Sequence, residues 1–177
     1  MKAELKQELE KVFREATSSD ELFDTFQKAL HHKLVDAELY KILLGNMILS
    51  ADEVKMYTEK LCQEFRDICY DIYMWAASIL ENMHAGEHLE TAFNYYRKAI
   101  EANRSDHMPY INILRMYNAE LDLPPKKVLV ELFRTGIKEV KYKSKLCRAI
   151  ADFYGSLENH QMKHKYMSLA ARYSRYE

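Results

Sequence analysis

Apolar residues recur at intervals of three and four along almost the whole chain, and residues that break this pattern fall about every 15 to 20 positions. Amphipathic helices of ordinary length have this period. Only 4 Gly and 3 Pro are present in 177 residues, too few for the many tight turns of an all-β fold or for a glycine-rich nucleotide-binding fold. We therefore predict an all-α chain without strands, with ten helices at about 2–16, 20–32, 36–49, 52–65, 67–84, 87–103, 108–119, 125–139, 143–156 and 159–174.

Length and composition indicate a globular chain that needs no cross-links. A chain of this size buries roughly 70% of its unfolded surface, so we predict one domain over residues 1–177, with an N-terminal helix at 1–16 and helical hairpins over 20–174. The three cysteines, Cys62, Cys69 and Cys147, are odd in number and form no CxxC pair, which favours a reducing compartment. No apolar run is long enough to cross a membrane, and no secretory segment is recognisable, so we expect a cytoplasmic location and no membrane partner.

One spacing of residues recurs in every second predicted helix. An apolar or small residue is followed by a large residue four positions later, by a small or apolar residue three positions after that, and by an apolar neighbour. The first members lie 32, 38, 37 and 33 positions apart, which predicts an array of about five antiparallel hairpins that pack on one another. The copies are Leu22-Phe26-Ala29-Leu30, a weaker Val54-Thr58-Leu61-Cys62, Ala92-Tyr96-Ala99-Ile100, Leu129-Phe133-Gly136-Ile137 and Met162-Tyr166-Leu169-Ala170.

This spacing resembles that of the tetratricopeptide repeat, and partly that of the half-a-TPR repeats of RNA-processing factors. The first helices of the pairs carry matching sets, Ile72-Trp75-Ala76-Ile79, Tyr110-Ile113-Leu114-Tyr117 and Leu146-Ala149-Ile150-Phe153. The chain departs from the repeat by extra residues around 81–86 and 120–124, and it lacks the proline that often closes a repeat. The resemblance implies a right-handed solenoid that binds proteins or peptides, without catalysis, on the concave face lined by its first helices.

The resemblance also implies which side chains face such a ligand. The family's groove positions fall on six candidates that we single out, Tyr73, Glu81, Ile111, Arg115, Asn118 and Tyr154, with the small residues Ala77, Cys147 and Ala151 beside them. Among these, the guanidinium of Arg115 and the amide of Asn118 are the polar pair suited to hold a peptide backbone or a carboxylate. The Lys and Asn clamp of chaperone-tail receptors is not reproduced, because Lys41 is followed four residues later by Gly45.

The two halves of the chain carry opposite charge. Residues 1–100 contain 12 Lys+Arg against 18 Asp+Glu, whereas residues 101–177 contain 14 against 9. A basic tract within 126–148 either forms a surface for phosphate or an acidic peptide, or is a solvated face balanced by the acidic half. A sequence pI of 6.7 speaks against nucleic acid as the main ligand, so an RNA-associated or phosphate-binding repeat is the alternative function. The tract comprises Lys126, Lys127, Arg134, Lys138, Lys141, Lys143, Lys145 and Arg148.

No set of residues in the sequence predicts an enzyme, a metal or a cofactor. His84 and His88 have the spacing of an inverted zinc-peptidase motif, but Gly86 interrupts it where the hairpin pattern predicts a turn. His160 and His164 lie one helical turn apart without further ligands, on what reads as a solvated face. The glycines are isolated, so neither a phosphate-binding loop nor a nucleophile elbow is present. We therefore expect no metal, no cofactor and no catalysis.

These observations predict a protein-interaction module whose partner is a protein or peptide. The oppositely charged halves and a broad apolar set on the last helix also predict a weak self-association through the C-terminal hairpin. That set comprises Tyr166, Met167, Leu169, Ala170 and Tyr173.

Overall fold

The computed structural model describes residues 2–83 and 86–177, and all regular structure within these ranges is helical. The prediction of an all-α chain with ten α-helices is confirmed for this part of the chain. A 3₁₀ turn, Arg66–Ile68, precedes the fifth helix. The helices are α1 (Lys2–Glu15), α2 (Ser19–His31), α3 (Ala37–Leu44), α4 (Ala51–Glu64), α5 (Cys69–Asn82), α6 (Leu89–Ala102), α7 (Met108–Arg115), α8 (Lys126–Glu139), α9 (Lys143–Ser156) and α10 (His160–Tyr173).

Two compact units make up the chain, Met1–His88 and Leu89–Glu177. In the first unit, α3 packs against both α1 and α5, while α2 packs on α1 and α4 packs on α5. In the second unit, α7 packs against α6, α8 and α9, and α9 also packs against α8 and α10. Helices that the sequence assigns as first members of hairpins therefore lie beside one another within each unit. The single domain over 1–177 stays a prediction.

The recurring spacing marks the buried stripe of the second helices. Its small positions in three of the copies, Ala29, Ala99 and Gly136, are buried. Its aromatic positions are buried as well, so the same register fills the core of both units. Packing of this kind explains why the spacing recurs, since a small residue admits a neighbouring helix and the aromatic residue three positions before it fills the remaining space. The buried aromatic residues are Phe26, Tyr96, Phe133 and Tyr166.

The α4 helix begins with a reciprocal capping arrangement. The Oγ of Ser50 accepts a hydrogen bond from the backbone N–H of Glu53 at 3.2 Å, and Glu53 Oε2 accepts from the backbone N–H of Ser50 at 2.8 Å. The box thereby satisfies the amides of Ser50 and Glu53 at this helix end. The hydrogen bonds from Ser50 hold the pKa of the Glu53 carboxyl below its ordinary value of 4.5.

We expect Ser50→Ala to lower the free energy of unfolding by about 1 kcal/mol at neutral pH, because it removes the cap. A lowered pKa in the folded state stabilises the fold above the ordinary carboxyl pKa, and this contribution disappears as the pH falls through the folded value. The cost of Ser50→Ala is therefore expected to shrink in acid. Urea denaturation at pH 7 and in acid measures it, with Ser168→Ala at an exposed position of α10 as the control. Equal losses in both variants would mean that the cap does not stabilise α4.

The third helix is shorter than the sequence predicts. It ends at Leu44 rather than near 49, because the side chain of Asn46 is used to fix the following loop. The Asn46 Nδ2 donates to the carbonyl oxygens of Phe13 at 3.0 Å and of Ala16 at 3.2 Å. These bonds join residues about thirty positions apart in the chain, so no local pattern could reveal them.

Candidate functional site

A groove of about 560 Å³ lies between α7 and α9 in the second unit. Both helices are first members of their predicted hairpins, and they pack directly against each other. We refer to this depression as the α7–α9 groove. Its lining residues are Ile111, Leu114, Arg115, Tyr117, Lys145, Arg148, Ala149, Asp152, Phe153 and Ser156.

The floor of the α7–α9 groove is apolar. Leu114 and Phe153 are buried, and Ile111 and Ala149 are half-buried beside them. The ring of Phe153 lies edge-on to Tyr117, with centroids 5.2 Å apart, and edge-on to Phe133, with centroids 5.7 Å apart. Aromatic contacts of this geometry fix the ring in place, so the floor is a preformed surface.

Three cations stand around this floor. Arg115 on α7 and Lys145 and Arg148 on α9 are exposed, and Asp152 is the only carboxylate among the lining residues. No ion pair found in the described ranges involves any of the three cations. The Lys145 Nζ lies 4.7 Å from the centroid of the Tyr142 ring. The groove therefore combines an apolar floor with a positively charged edge.

Two of the six predicted residues, Ile111 and Arg115, line this groove, and the other four do not. That any of them binds a peptide stays a prediction. Asn118 lies beyond the end of α7, which stops at Arg115 rather than near 119, and its Oδ1 accepts from the backbone N–H of Glu120 at 2.9 Å and of Leu121 at 3.1 Å. A side chain used in this way stabilises a turn. Asn118 thus fixes the chain after α7, and Tyr154 points elsewhere.

The helix α9 presents a different face from the one that the resemblance implies. Cys147 and Ala151 are fully buried. Tyr154 stacks on Tyr166, with centroids 5.6 Å apart and planes 10° apart, and burial raises its pKa. The groove is lined instead by a stripe of α9 that begins at Lys145 and runs through Arg148. The positions of this stripe, 145, 148, 149, 152 and 156, follow the helical period, so an amphipathicity argument applied to residues 143–156 would have found it.

The remaining two predicted residues, Tyr73 and Glu81, lie on α5 in the first unit. The hydroxyl of Tyr73 contacts the thiol of Cys62, and burial raises the pKa of that hydroxyl. Glu81 is half-buried in the last turn of α5. A separate cleft of about 810 Å³ in this unit is lined by Trp75 instead. Sequence reasoning placed Trp75 among the repeat's packing positions and missed this exposure.

The Trp75 cleft is held by a contact between two first helices. The Nε1 of Trp75 donates to the carbonyl oxygen of Lys41 at 2.9 Å, which joins α5 to α3. The indole is 39% exposed, and the loop after α3 adds Met47, which is almost fully exposed, and Ile48. Acidic and basic side chains surround it in nearly equal number, so this cleft has no pronounced charge. Its charged lining residues are Glu10, Arg14, Glu15, Glu38 and Lys41.

The predicted basic tract is divided among several environments. Lys145 and Arg148 line the α7–α9 groove. The Nζ of Lys141 lies 5.3 Å from the Tyr142 centroid, and that of Lys143 lies 5.8 Å from the Tyr173 centroid. The other four members are exposed on α8 and do not line this groove. They are Lys126, Lys127, Arg134 and Lys138.

The described ranges contain no group of three or more His, Cys, Asp or Glu side chains that would hold a metal ion. His84 lies outside the described residues. Gly86, two positions later, has a φ of 94°, a left-handed conformation that favours glycine. His160 and His164 are exposed on α10.

The three thiols are free and buried. Burial raises the pKa of Cys147 to about 11 and that of Cys62 further, so neither thiol is ionised at neutral pH. Among the helices in the described ranges, none has the length and apolar character that a membrane span requires.

The search against protein-family models, curated proteins and solved structures gave no match for this chain. The resemblance to tetratricopeptide repeats therefore rests on the residue spacing alone.

Proposed function

We propose that this protein is a non-catalytic interaction module that binds a segment of another protein in the α7–α9 groove. The observation that carries the proposal is the meeting of Ile111 and Arg115 from α7 with Lys145 and Arg148 from α9 around one apolar floor. We further propose that the protein acts in the cytoplasm. In this proposal it folds as a right-handed, tetratricopeptide-like array of about five hairpins, and the first helices form the binding face.

The chemistry of the groove suits a peptide. An apolar floor removes a side chain of the ligand from water, which supplies most of the affinity, at roughly 25 cal/mol per Å² of buried apolar surface. The cations at the edge then set the orientation and select against wrong partners. A floor that is already packed, as the Phe153 contacts indicate, costs little ordering when a ligand binds.

An RNA-associated or phosphate-binding function of the basic tract is the alternative. Single-stranded RNA is bound chiefly by stacking bases on open aromatic faces and by tracking the phosphates with cations. Phe153 is only 8% exposed, and its ring is enclosed by Tyr117 and Phe133. The α7–α9 groove therefore offers little surface for base stacking, and we favour a protein ligand.

A groove-filling variant tests the proposal. Random peptides displayed on phage are first selected for binding to the wild-type protein. We expect these peptides to bind Ala149→Trp at least about tenfold more weakly, which is ~1.4 kcal/mol, because the indole fills the groove above its floor. The matched control is Ala171→Trp, at an exposed position of α10 in the same unit, which should bind the peptides unchanged. Circular dichroism confirms that both variants fold.

Peptides that bind both variants equally well, or a selection that returns no binders, would contradict the proposed site. Binding of a labelled oligonucleotide with steep salt dependence, unaffected by Ala149→Trp, would favour the alternative function.

A further inference from the structure

The charge of the α7–α9 groove points to the chemistry of its ligand. Three cations and one carboxylate line it. The unit that contains the groove holds 16 Lys+Arg against 10 Asp+Glu, whereas the first unit holds 10 against 17. The local excess of positive charge therefore has the same sign as that of the whole second unit, so the field of the unit attracts an anionic ligand toward this edge.

The two arginines are available for a ligand. Arg115 and Arg148 are exposed, and neither takes part in an ion pair within the described ranges. Arg148 stands one helical turn before Asp152 on α9, yet the two side chains do not pair in this structure. A guanidinium presents hydrogen-bond donors in a planar fork that matches a carboxylate, so each arginine is suited to bind one carboxylate of a ligand.

The two arginines lie on different helices that both contribute to the apolar floor. Arg115 belongs to α7 and Arg148 to α9, and the floor residues Leu114 and Ala149 belong to the same two neighbouring helices. A segment that pairs with both arginines can therefore place an apolar side chain on this floor. This favours a segment that combines carboxylates with a large apolar side chain over a single compact anion.

We propose that the α7–α9 groove binds an acidic segment of a partner protein in which carboxylates flank one large apolar side chain. This inference rests on the proposed function of the same groove. Carboxylates of the segment pair with Arg115 and Arg148, and the apolar side chain packs on Ala149 and Leu114. The lining carries three cations and one carboxylate, Asp152, so a phosphoserine would be attracted to it as well as a glutamate, and a phosphorylated segment is the competing outcome of the test.

Fluorescence anisotropy with defined probes tests the proposal. The probe is a fluorescein-labelled peptide with a leucine flanked by glutamates, and its matched forms carry glutamines for the glutamates, serine for the leucine, or phosphoserines for the glutamates. We expect the Glu–Leu peptide to bind about tenfold more tightly than the Gln or Ser forms. Its affinity should fall with added salt, since exposed charges are screened over ~10 Å at 0.1 M.

Charge-reversal variants connect the binding to the named residues. Arg115→Glu and Arg148→Glu are each expected to weaken binding of the Glu–Leu peptide about tenfold. Arg172→Glu on α10 makes the same change of charge in the same unit and should have little effect. Circular dichroism melts confirm that all three variants are folded.

The outcomes separate this inference from the proposed function. Phage-selected peptides that depend on the groove but are neutral or basic would leave the proposed function in place and overturn the acidic ligand. Equal binding of the Glu–Leu and Gln–Leu forms, or tighter binding of the phosphoserine form, would overturn it as well. If Arg172→Glu weakened binding of the Glu–Leu peptide as much as Arg148→Glu does, binding would depend only on the net charge of the unit, and the pairing with Arg115 and Arg148 would be wrong. Selected peptides that bind Ala149→Trp as tightly as the wild-type protein would contradict both the proposed function and the acidic ligand.

Discussion

Replacing Phe26 by alanine is expected to lower the free energy of unfolding of the first unit by about 3–5 kcal/mol. The side chain is only 1% exposed. Its ring lies edge-on to Tyr57 at 4.8 Å and edge-on to Tyr40 at 6.3 Å, measured between centroids. Truncation therefore removes buried apolar surface, leaves a cavity and abolishes two aromatic contacts that join α2 to α3 and α4.

The same substitution three residues earlier is the matched control. Phe23 is on the same helix but is 42% exposed and lies outside the recurring spacing. Phe23→Ala should cost less than about 1 kcal/mol, since most surface substitutions have small effects. Urea denaturation followed by circular dichroism compares the two variants. Equal losses, or a loss below about 1 kcal/mol for Phe26→Ala, would mean that the spacing does not mark the core.

Two glycine-to-alanine substitutions are expected to change stability in opposite directions. At Gly136, a Cβ would lie 2.8 Å from Leu146 Cδ2 and 2.9 Å from Tyr110 Cε1. Both neighbours are packed side chains on first helices, so overpacking of ~1–3 kcal/mol is expected to outweigh the ~1 kcal/mol by which alanine favours a helix. We therefore expect Gly136→Ala to destabilise the second unit.

Gly155 in α9 is the control for this substitution. A Cβ there would meet only the side chain of Lys163, at 3.2 Å from its Cδ, and this flexible chain can move away. Gly155→Ala should therefore raise the free energy of unfolding by up to about 1 kcal/mol. Thermal and urea melts of both variants measure the contrast. A gain for Gly136→Ala equal to that for Gly155→Ala would show that α8 does not approach its neighbours this closely.

The helices and their buried stripes could be predicted because their signals are local and repeated. Phe26 and Phe133 occupy the aromatic position in two copies of one spacing, Ala29 and Gly136 occupy the small position of the same copies, and all four are buried. The ends of α3 and α7 could not be predicted in the same way. They depend on the side chains of Asn46 and Asn118, which bond to backbone groups that helical periodicity does not identify.

Only some of the residues that line the groove could be predicted from the sequence. Arg115 was identified through the resemblance and Lys145 and Arg148 through their charge, but nothing in the sequence showed that α7 and α9 place them around one floor. The resemblance also implied the face of α9 that carries Cys147, although this residue is fully buried. Small residues such as cysteine and alanine suit both a groove and a core, so their type alone could not decide between the two.

The predicted self-association through the C-terminal hairpin stays a prediction. Tyr166 stacks on Tyr154, and Ala170 is buried as well, so these members of the apolar set pack within the second unit. Met167 is exposed on the same helix. A contact between two chains through α10 would therefore have less apolar surface available than the sequence indicates.

The most direct test of the account locates the binding site residue by residue. Amide chemical shifts of the isotope-labelled protein are recorded during titration with a peptide selected on the wild-type chain. We predict that the largest changes fall in α7 and α9, around Ile111, Arg115, Arg148 and Ala149, and that they disappear in Ala149→Trp but persist in Ala171→Trp. Changes centred on the first unit or on the exposed face of α10 would contradict the assignment of the α7–α9 groove as the binding site.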